Sequence, residues 1–154
     1  MVNESLLREV DIFNGLSDAQ LEKVGAICHE ARFMDGDVIL QESDQSKEMY
    51  VIAEGEVEIV LGVDASAYPF PTSDGQVLIV RLGKGQIFGE MALVDQGLRS
   101  ATVRCSATPT RLLIVQRDDF MALCQADTHL GFVVMRNVAA DVCFKLRSHN
   151  LAWK

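Results

Sequence analysis

The stretch Gln86–Val103 reads QIFGEMALVDQGLRSATV and holds more chemistry than any other part of the chain. Gly89, Glu90, Met91, Ala92 and Leu93 read as the opening turn of a short helix with an acid in its first turn. The first N–H groups of a helix lack intrahelical partners and carry partial positive charge, which suits an anion. Gly89 has no Cβ and lets a ligand approach the backbone. Further on, Arg99 supplies a planar fork of donors matched to phosphate oxygens, and Ser100 adds a hydroxyl. A carboxylate, a guanidinium and bare amides this close together suit a ligand with both a sugar diol and a phosphate: Glu90 would accept from a ribose hydroxyl, and Arg99 would neutralise the phosphate. An ordinary helix start followed by a solvated surface arginine has the same composition, and the spacing alone leaves both readings open.

Two phrases, FGEMAL at 88–93 and RSATV at 99–103, occur together at a fixed spacing. This pair closely resembles the phosphate-binding cassette of cyclic nucleotide-binding domains, the family of the bacterial cAMP receptor protein and the protein kinase A regulatory subunits. The resemblance implies that cAMP or cGMP is held by Phe88, Gly89, Glu90, Met91, Ala92, Arg99, Ser100 and Ala101, with no cofactor. Ribose and phosphate are common to both nucleotides, so the base has to be read elsewhere. Val80 and Leu82 offer apolar contacts, and Ser148, His149 and Asn150 on the last helix offer polar ones. Arg99→Ala is expected to remove binding and leave the fold intact.

Working towards the N-terminus, Val77–Leu82 reads as a strand, and Gly83-Lys84-Gly85 turns it into the cassette. Residues 62–75, with Pro69, Pro71 and Gly75, form a loop of about the upper usual length. Val57, Ile59 and Leu61 alternate with Glu56, Glu58 and Val60, so that strand has one buried face. Met49–Ala53, Val38–Leu40 and Ala31–Phe33 are further short strands, separated by the turn signals Glu54-Gly55-Glu56 and Asp35-Gly36. Before them, Leu6, Leu7, Val10 and Phe13 recur at helical spacing until Asn14-Gly15. Ser17 and Gln20 then form a capping-box signature ahead of Leu21, Val24 and Ile27. The phrase DIFNGLSDAQLEKV at 11–24 resembles the helical lead-in of the same family.

Towards the C-terminus, Ala101–Cys105 and Arg111–Val115 read as strands, and Asp118 starts a helix containing Phe120. Short strands with glycine turns indicate an all-β sandwich or barrel. The fold class is therefore mainly β with flanking helices: a jelly-roll-like β-roll with N-terminal helices and a long C-terminal helix. It is read as a single domain over 1–154, with the lead-in at 1–28, the β-roll at 29–116 and C-terminal helices at 117–154. From Asp127 the pattern is one long helix with Thr128 as candidate cap. Leu130, Val134, Val138 and Val142 form one apolar row, and Met135, Ala139 and Leu146 another, beside Phe132 and Cys143. That is wider than the ~100° stripe one core needs. The resemblance implies a homodimer through this helix, with Val138 and Val142 in its seam; the alternative is a deep groove in the same monomer. Its end, Arg147–Lys154, either meets the base, with Trp153 stacking, or frays. The chain stops at Lys154, before the helix-turn-helix domain that a bacterial regulator of this family carries, so either a stand-alone binding protein or a sensory portion of something larger is expected.

A net charge of −8 argues against a nucleic-acid partner. No apolar run approaches the ~20 residues of a membrane span, so no membrane partner is expected and the setting reads as cytoplasmic. Cys28, Cys105, Cys124 and Cys143 are scattered among apolar neighbours and read as buried free thiols. Jelly rolls include metal-dependent cupin enzymes, which need clustered histidines and a glutamate; His29, His129 and His149 are dispersed, so no metal site is expected. A scaffold that had lost its ligand would lack Glu90 or Arg99, and both are present. The reading is a non-catalytic nucleotide sensor.

Overall fold

A computed structural model of the chain describes residues 4–62, 76–95, 97, 99 and 101–152. Its strands are β1 Cys28–Phe33, β2 Val38–Leu40, β3 Glu48–Glu54, β4 Glu56–Gly62, β5 Gln76–Gly83, β6 Ile87–Phe88, β7 Thr102–Cys105 and β8 Thr110–Gln116. They form two antiparallel four-stranded sheets, ordered β1-β8-β3-β6 and β2-β7-β4-β5. Strands distant in sequence therefore pair, β1 with β8 and β2 with β7, and the sheets stack into the β-roll. Most of the loop expected at 62–75, together with Ser100 and Trp153, lies outside the described residues.

Two apolar clusters share the first sheet. Between the sheets lie Leu40, Tyr50, Ile52, Leu82, Phe88 and Val103, among others. On the opposite face Met49, Val51, Leu113 and Val115 pack on the helices through Phe13, Phe120 and Val134. β3 is thus covered on both sides, which is why Met49–Ala53 is an unbroken apolar run and not an alternating one. In β4, Val57 and Ile59 do belong to the inter-sheet cluster, as alternation requires. Val60, opposite Thr102, is also fully buried, while Glu56 and Glu58 are half-buried, so burial departs from strict alternation at that end.

The helices are α1 Glu4–Arg8, α2 Asp18–Ile27, α3 Arg117–Ala126 and α4 Thr128–Ala152, with a 3-10 turn at Asp11–Phe13. The capping box at α2 is formed: Gln20 N–H donates to Ser17 Oγ (3.2 Å), and Ser17 N–H donates to Gln20 Oε1 (2.9 Å). The cap of α4 is Asp127, not Thr128. Its Oδ1 accepts from Leu130 N–H at 3.1 Å, while its own N–H closes α3 on Leu123 O. That Leu130 bond, with help from Gln20 and Lys23, holds the Asp127 carboxyl below the usual range.

Two expectations about side chains change. Leu130, Val134 and Val138 are buried in the chain's own core, with the half-buried Val142 packed against it, so the row expected to face outwards turns inwards. Phe132 and Leu146, 63% and 57% exposed, lie towards the outward side, and Phe144, 68% exposed, borders a groove beside Gln86 and Asn137. Of the cysteines, Cys105 is buried, Cys28 and Cys124 are half-buried and Cys143 is exposed. Loss of solvation pushes the Cys28 thiol up to about 12, which makes it inert, and Cys143 stands apart on the outer face of α4.

Candidate functional site

The cassette turns where β6 ends. Phe88 stacks on Tyr50 of β3 with ring centroids 4.9 Å apart and planes 4° from parallel, which anchors the strand before the turn. Gly89 then adopts φ +75°, and Glu90–Leu93 forms a single 3-10 turn. The short helix expected here is only that turn. It has no macrodipole of consequence and offers individual backbone N–H groups. A Cβ on Gly89 would lie 3.0 Å from both Arg99 Nη1 and Glu48 O, so close packing and backbone conformation both call for glycine.

Arg99 is 6% exposed and lies under the turn. Its Nε donates to Ser46 Oγ (2.7 Å), Nη1 to Gly89 O (3.1 Å) and Nη2 to Glu48 O (2.7 Å), with Glu48 Oε2 at 3.4 Å. Its backbone is tied as well: Arg99 N–H donates to Asp44 O, and Ser43 N–H donates to Arg99 O, each at 2.9 Å. A buried guanidinium needs this satisfaction, and the cage holds it rigidly beside the turn. The nearby Tyr50 hydroxyl is pushed above its ordinary pKa by burial, with Glu48 adding and Arg99 opposing.

Glu90, 5% exposed, is the first residue of the same turn. Its Oε1 accepts from Lys145 Nζ of α4 at 2.8 Å, and the same ammonium donates to Ile87 O at 2.8 Å. Asp141 Oδ2 lies 2.9 Å from Nζ, but the contact lacks hydrogen-bond geometry and is purely ionic. Burial pushes the Glu90 carboxyl above its ordinary pKa, and Lys145 opposes the rise.

The remaining expected residues divide. Phe88, Ala92 and Leu82 are buried at the cassette and the inter-sheet cluster, and Ala101 is half-buried. Met91 is 47% exposed, and Val80, opposite Ile59, is 36% exposed on the edge strand. Ser148 is exposed, and the side chains of His149 and Asn150 lie outside the described residues. Two surface grooves flank the cassette. One of about 450 Å³ runs between Asp11, Gln86, Asn137, Asp141 and Phe144; the other, about 330 Å³, lies among Ser46, Lys47, Ala92, Asp95 and Arg117.

Sequence reasoning missed Ser46, Glu48 and Lys145. The first two stand some fifty residues before Arg99 and carry no signal of their own. Lys145 had one faint signal: it follows Asp141 by one helical turn on an otherwise apolar stretch. Among the described residues no three of His, Cys, Asp and Glu converge as for a metal, and no helix is long and apolar enough to cross a membrane.

Comparison with known proteins bears on this geometry. The cAMP-dependent protein kinase regulatory subunit of Schizosaccharomyces pombe is 31% identical over 118 residues, covering 77% of this chain and 25% of that protein. Human cGMP-dependent protein kinase 2 is 28% identical over 117 residues, covering 75% of this chain and 14% of the kinase. The chain thus spans a quarter or less of the length of these two relatives. A crystal structure of a cyclic nucleotide-binding domain from Methylobacillus flagellatus KT has the same fold, with a TM-score of 0.78 at 21% identity, covering 94% of this chain and 76% of that one. The family model described as the cyclic nucleotide-binding domain matches residues 30–127, from β1 through the cassette to the end of α3. On that span, and on the two-sheet roll that carries it, the chain belongs to the cyclic nucleotide-binding domain family.

Proposed function

We propose that this chain is a non-catalytic sensor module that binds a cyclic purine nucleotide, cAMP ahead of cGMP. Glu90 accepts from the ribose 2′-hydroxyl. Arg99, the N–H groups of the Glu90–Leu93 turn and Ser100 hold the phosphate. Leu82 and Val80 give the base an apolar wall, with polar groups of the end of α4, from Ser148 to Asn150, as its edge readers. The observation that carries this is a buried acid as the first residue of a single turn, with a buried arginine bonded to the carbonyl of the glycine that opens it. The order of the two nucleotides rests on the somewhat greater identity to the cAMP-dependent subunit.

Calorimetric titration of the nucleotide-stripped protein with cAMP and cGMP in parallel tests the reading. One nucleotide per chain is expected, and silence with both overturns it. Glu90→Gln should weaken cAMP about tenfold and change 2′-deoxy-cAMP much less, because each removes the same contact. Equal losses would assign Glu90 another role. One observation favours a second reading, an interaction scaffold: Glu90 and Arg99 are already satisfied by groups of the chain itself. The same titration separates the two.

The proposed homodimer moves to the outward face of α4. Phe132 and Leu146 are large apolar side chains left to solvent there, and Arg136 sits 5.6 Å over the Phe132 ring. Leu146→Glu should shift the light-scattering mass from dimer to monomer without loss of fold. A parent chain that is monomeric at high concentration would sink the dimer.

A further inference from the structure

The guanidinium of Arg99 is largely engaged by the chain itself. Among the described residues, Nε meets Ser46 Oγ, Nη1 meets Gly89 O, and Nη2 meets both the carbonyl and the carboxylate of Glu48. Set against the five N–H donors of an arginine, these four contacts leave at most one donor for a ligand. The two shortest, at 2.7 Å, go to the neutral oxygens Ser46 Oγ and Glu48 O. The contact to Glu48 Oε2 is the longest, at 3.4 Å, and is the one a phosphate oxygen most readily replaces. Glu48 remains beside the phosphate even then, because it is the first residue of β3 and is paired to Gln116 of β8.

Charge at this end of the site is balanced before a ligand arrives, by one guanidinium and one half-buried carboxylate. At the ribose end Lys145 stands against both Glu90 and Asp141. No surplus of positive charge is therefore held for a second negative charge on the ligand among these five groups. Lys47 and Arg117 line the groove outside the turn together with Asp95, and their charges act on the ligand whether residue 48 is an acid or an amide.

We propose that Glu48 is a specificity-determining residue, a charge filter that admits the singly charged cyclic diester and disfavours open-chain nucleoside monophosphates. This rests on the reading of Arg99 as the phosphate donor. A terminal phosphate carries close to two negative charges above neutral pH, and a cyclic diester carries one. Repulsion by the Glu48 carboxylate grows in proportion to the ligand's charge, so its free energy doubles from diester to monoester and its effect on affinity squares.

Adenosine, cAMP and 5′-AMP form a ladder of ligand charge on one base and sugar. Their affinities can be compared by displacement of tritiated cAMP, with adenosine and 5′-AMP taken to millimolar concentration. Glu48→Gln should leave adenosine unchanged within about twofold, tighten cAMP about threefold and tighten 5′-AMP about tenfold. The margin by which cAMP outbinds 5′-AMP then narrows about threefold. Glu48→Asp keeps the charge and should keep the parent's margin. Glu48→Ala removes the same charge without a new amide and reads the same ratio if the glutamine variant does not fold. Equal changes for cAMP and 5′-AMP, or none for either, overturn the filter and leave Glu48 as a brace for Arg99. A margin that narrows as much in Glu48→Asp as in Glu48→Gln overturns it too, because shape and not charge would then be responsible. Failure of the parent to bind cAMP removes the nucleotide reading and the filter with it, whereas binding with an unchanged margin removes the filter alone.

Discussion

Arg99→Ala is expected to lose nucleotide binding and stability together. The sequence predicts a loss of binding alone, because it shows Arg99 no partner other than the phosphate. In the structure it is buried and caged by Ser46, Glu48 and Gly89. Truncation would leave the Glu48 and Gly89 carbonyls without this donor and strand the Glu48 carboxylate. Bonds to a charged group contribute about 1.5–3 kcal/mol each when measured by deletion and do not add fully. A loss of about 3 kcal/mol in urea unfolding is therefore expected, with a lower midpoint and unchanged slope. Affinity for cAMP should fall by roughly a hundredfold or more, since the phosphate loses its charged partner and the turn loses its brace. Arg99→Lys should recover part of the affinity through its charge, but little stability, because one ammonium cannot span Ser46, Glu48 and Gly89 at once. Parent-like affinity in the alanine variant would undo the cassette assignment. Parent-like stability would mean that the cage is made only at the surface of the energy balance, and that Arg99 is free to serve the ligand alone.

The contrast between these two views of Arg99 shows what the chain discloses in one dimension. Alternation and turn glycines carried the strands because each is a local property of five or six residues. The Ser17–Gln20 capping box was legible for the same reason, since both of its bonds close within three residues. The family was legible through the phrases FGEMAL and RSATV, because both lie within one short stretch. What was not legible depends on direction or on distance. Helical periodicity reveals two apolar rows on α4 but cannot say which one turns to the core, and Val138 proved to be inside. Asp127 and Thr128 are both cap-forming residues, and only the bond from Leu130 N–H chooses between them. A four-residue 3-10 turn has no period to detect. Ser46, Glu48 and Lys145 meet Arg99 and Glu90 only because the roll closes on itself, across 53, 51 and 55 residues of chain.

Gly55→Ala should be among the most damaging single-methyl additions in this protein. Gly55 is the corner at which the chain leaves β3 in one sheet and enters β4 in the other. Its φ is +94°, a conformation that costs an L-residue about 1–2 kcal/mol. Space is the larger obstacle. A Cβ would lie 2.7 Å from Thr110 Cα and 2.8 Å from Pro109 O, and closer still to Thr110 Oγ1. Backbone atoms cannot swing aside as a side chain could. Thr110 is fully buried at the start of β8, and its hydroxyl donates to Ala107 O at 2.8 Å. Relief would require β8 to move against β3, its partner over most of its length. Overpacking of this kind typically adds about 1–3 kcal/mol, so the sum is about 2–5 kcal/mol. Gly36 supplies the control: its φ is +93°, yet nothing lies within 4 Å of a Cβ built there. Gly36→Ala should therefore show the conformational cost alone, about 1–2 kcal/mol. In urea the two variants should differ by about 1–2 M in midpoint for a slope of about 1.5 kcal/mol/M. Equal losses would show that the Pro109–Thr110 backbone yields at little cost, and that the corner is held by conformation and not by contact.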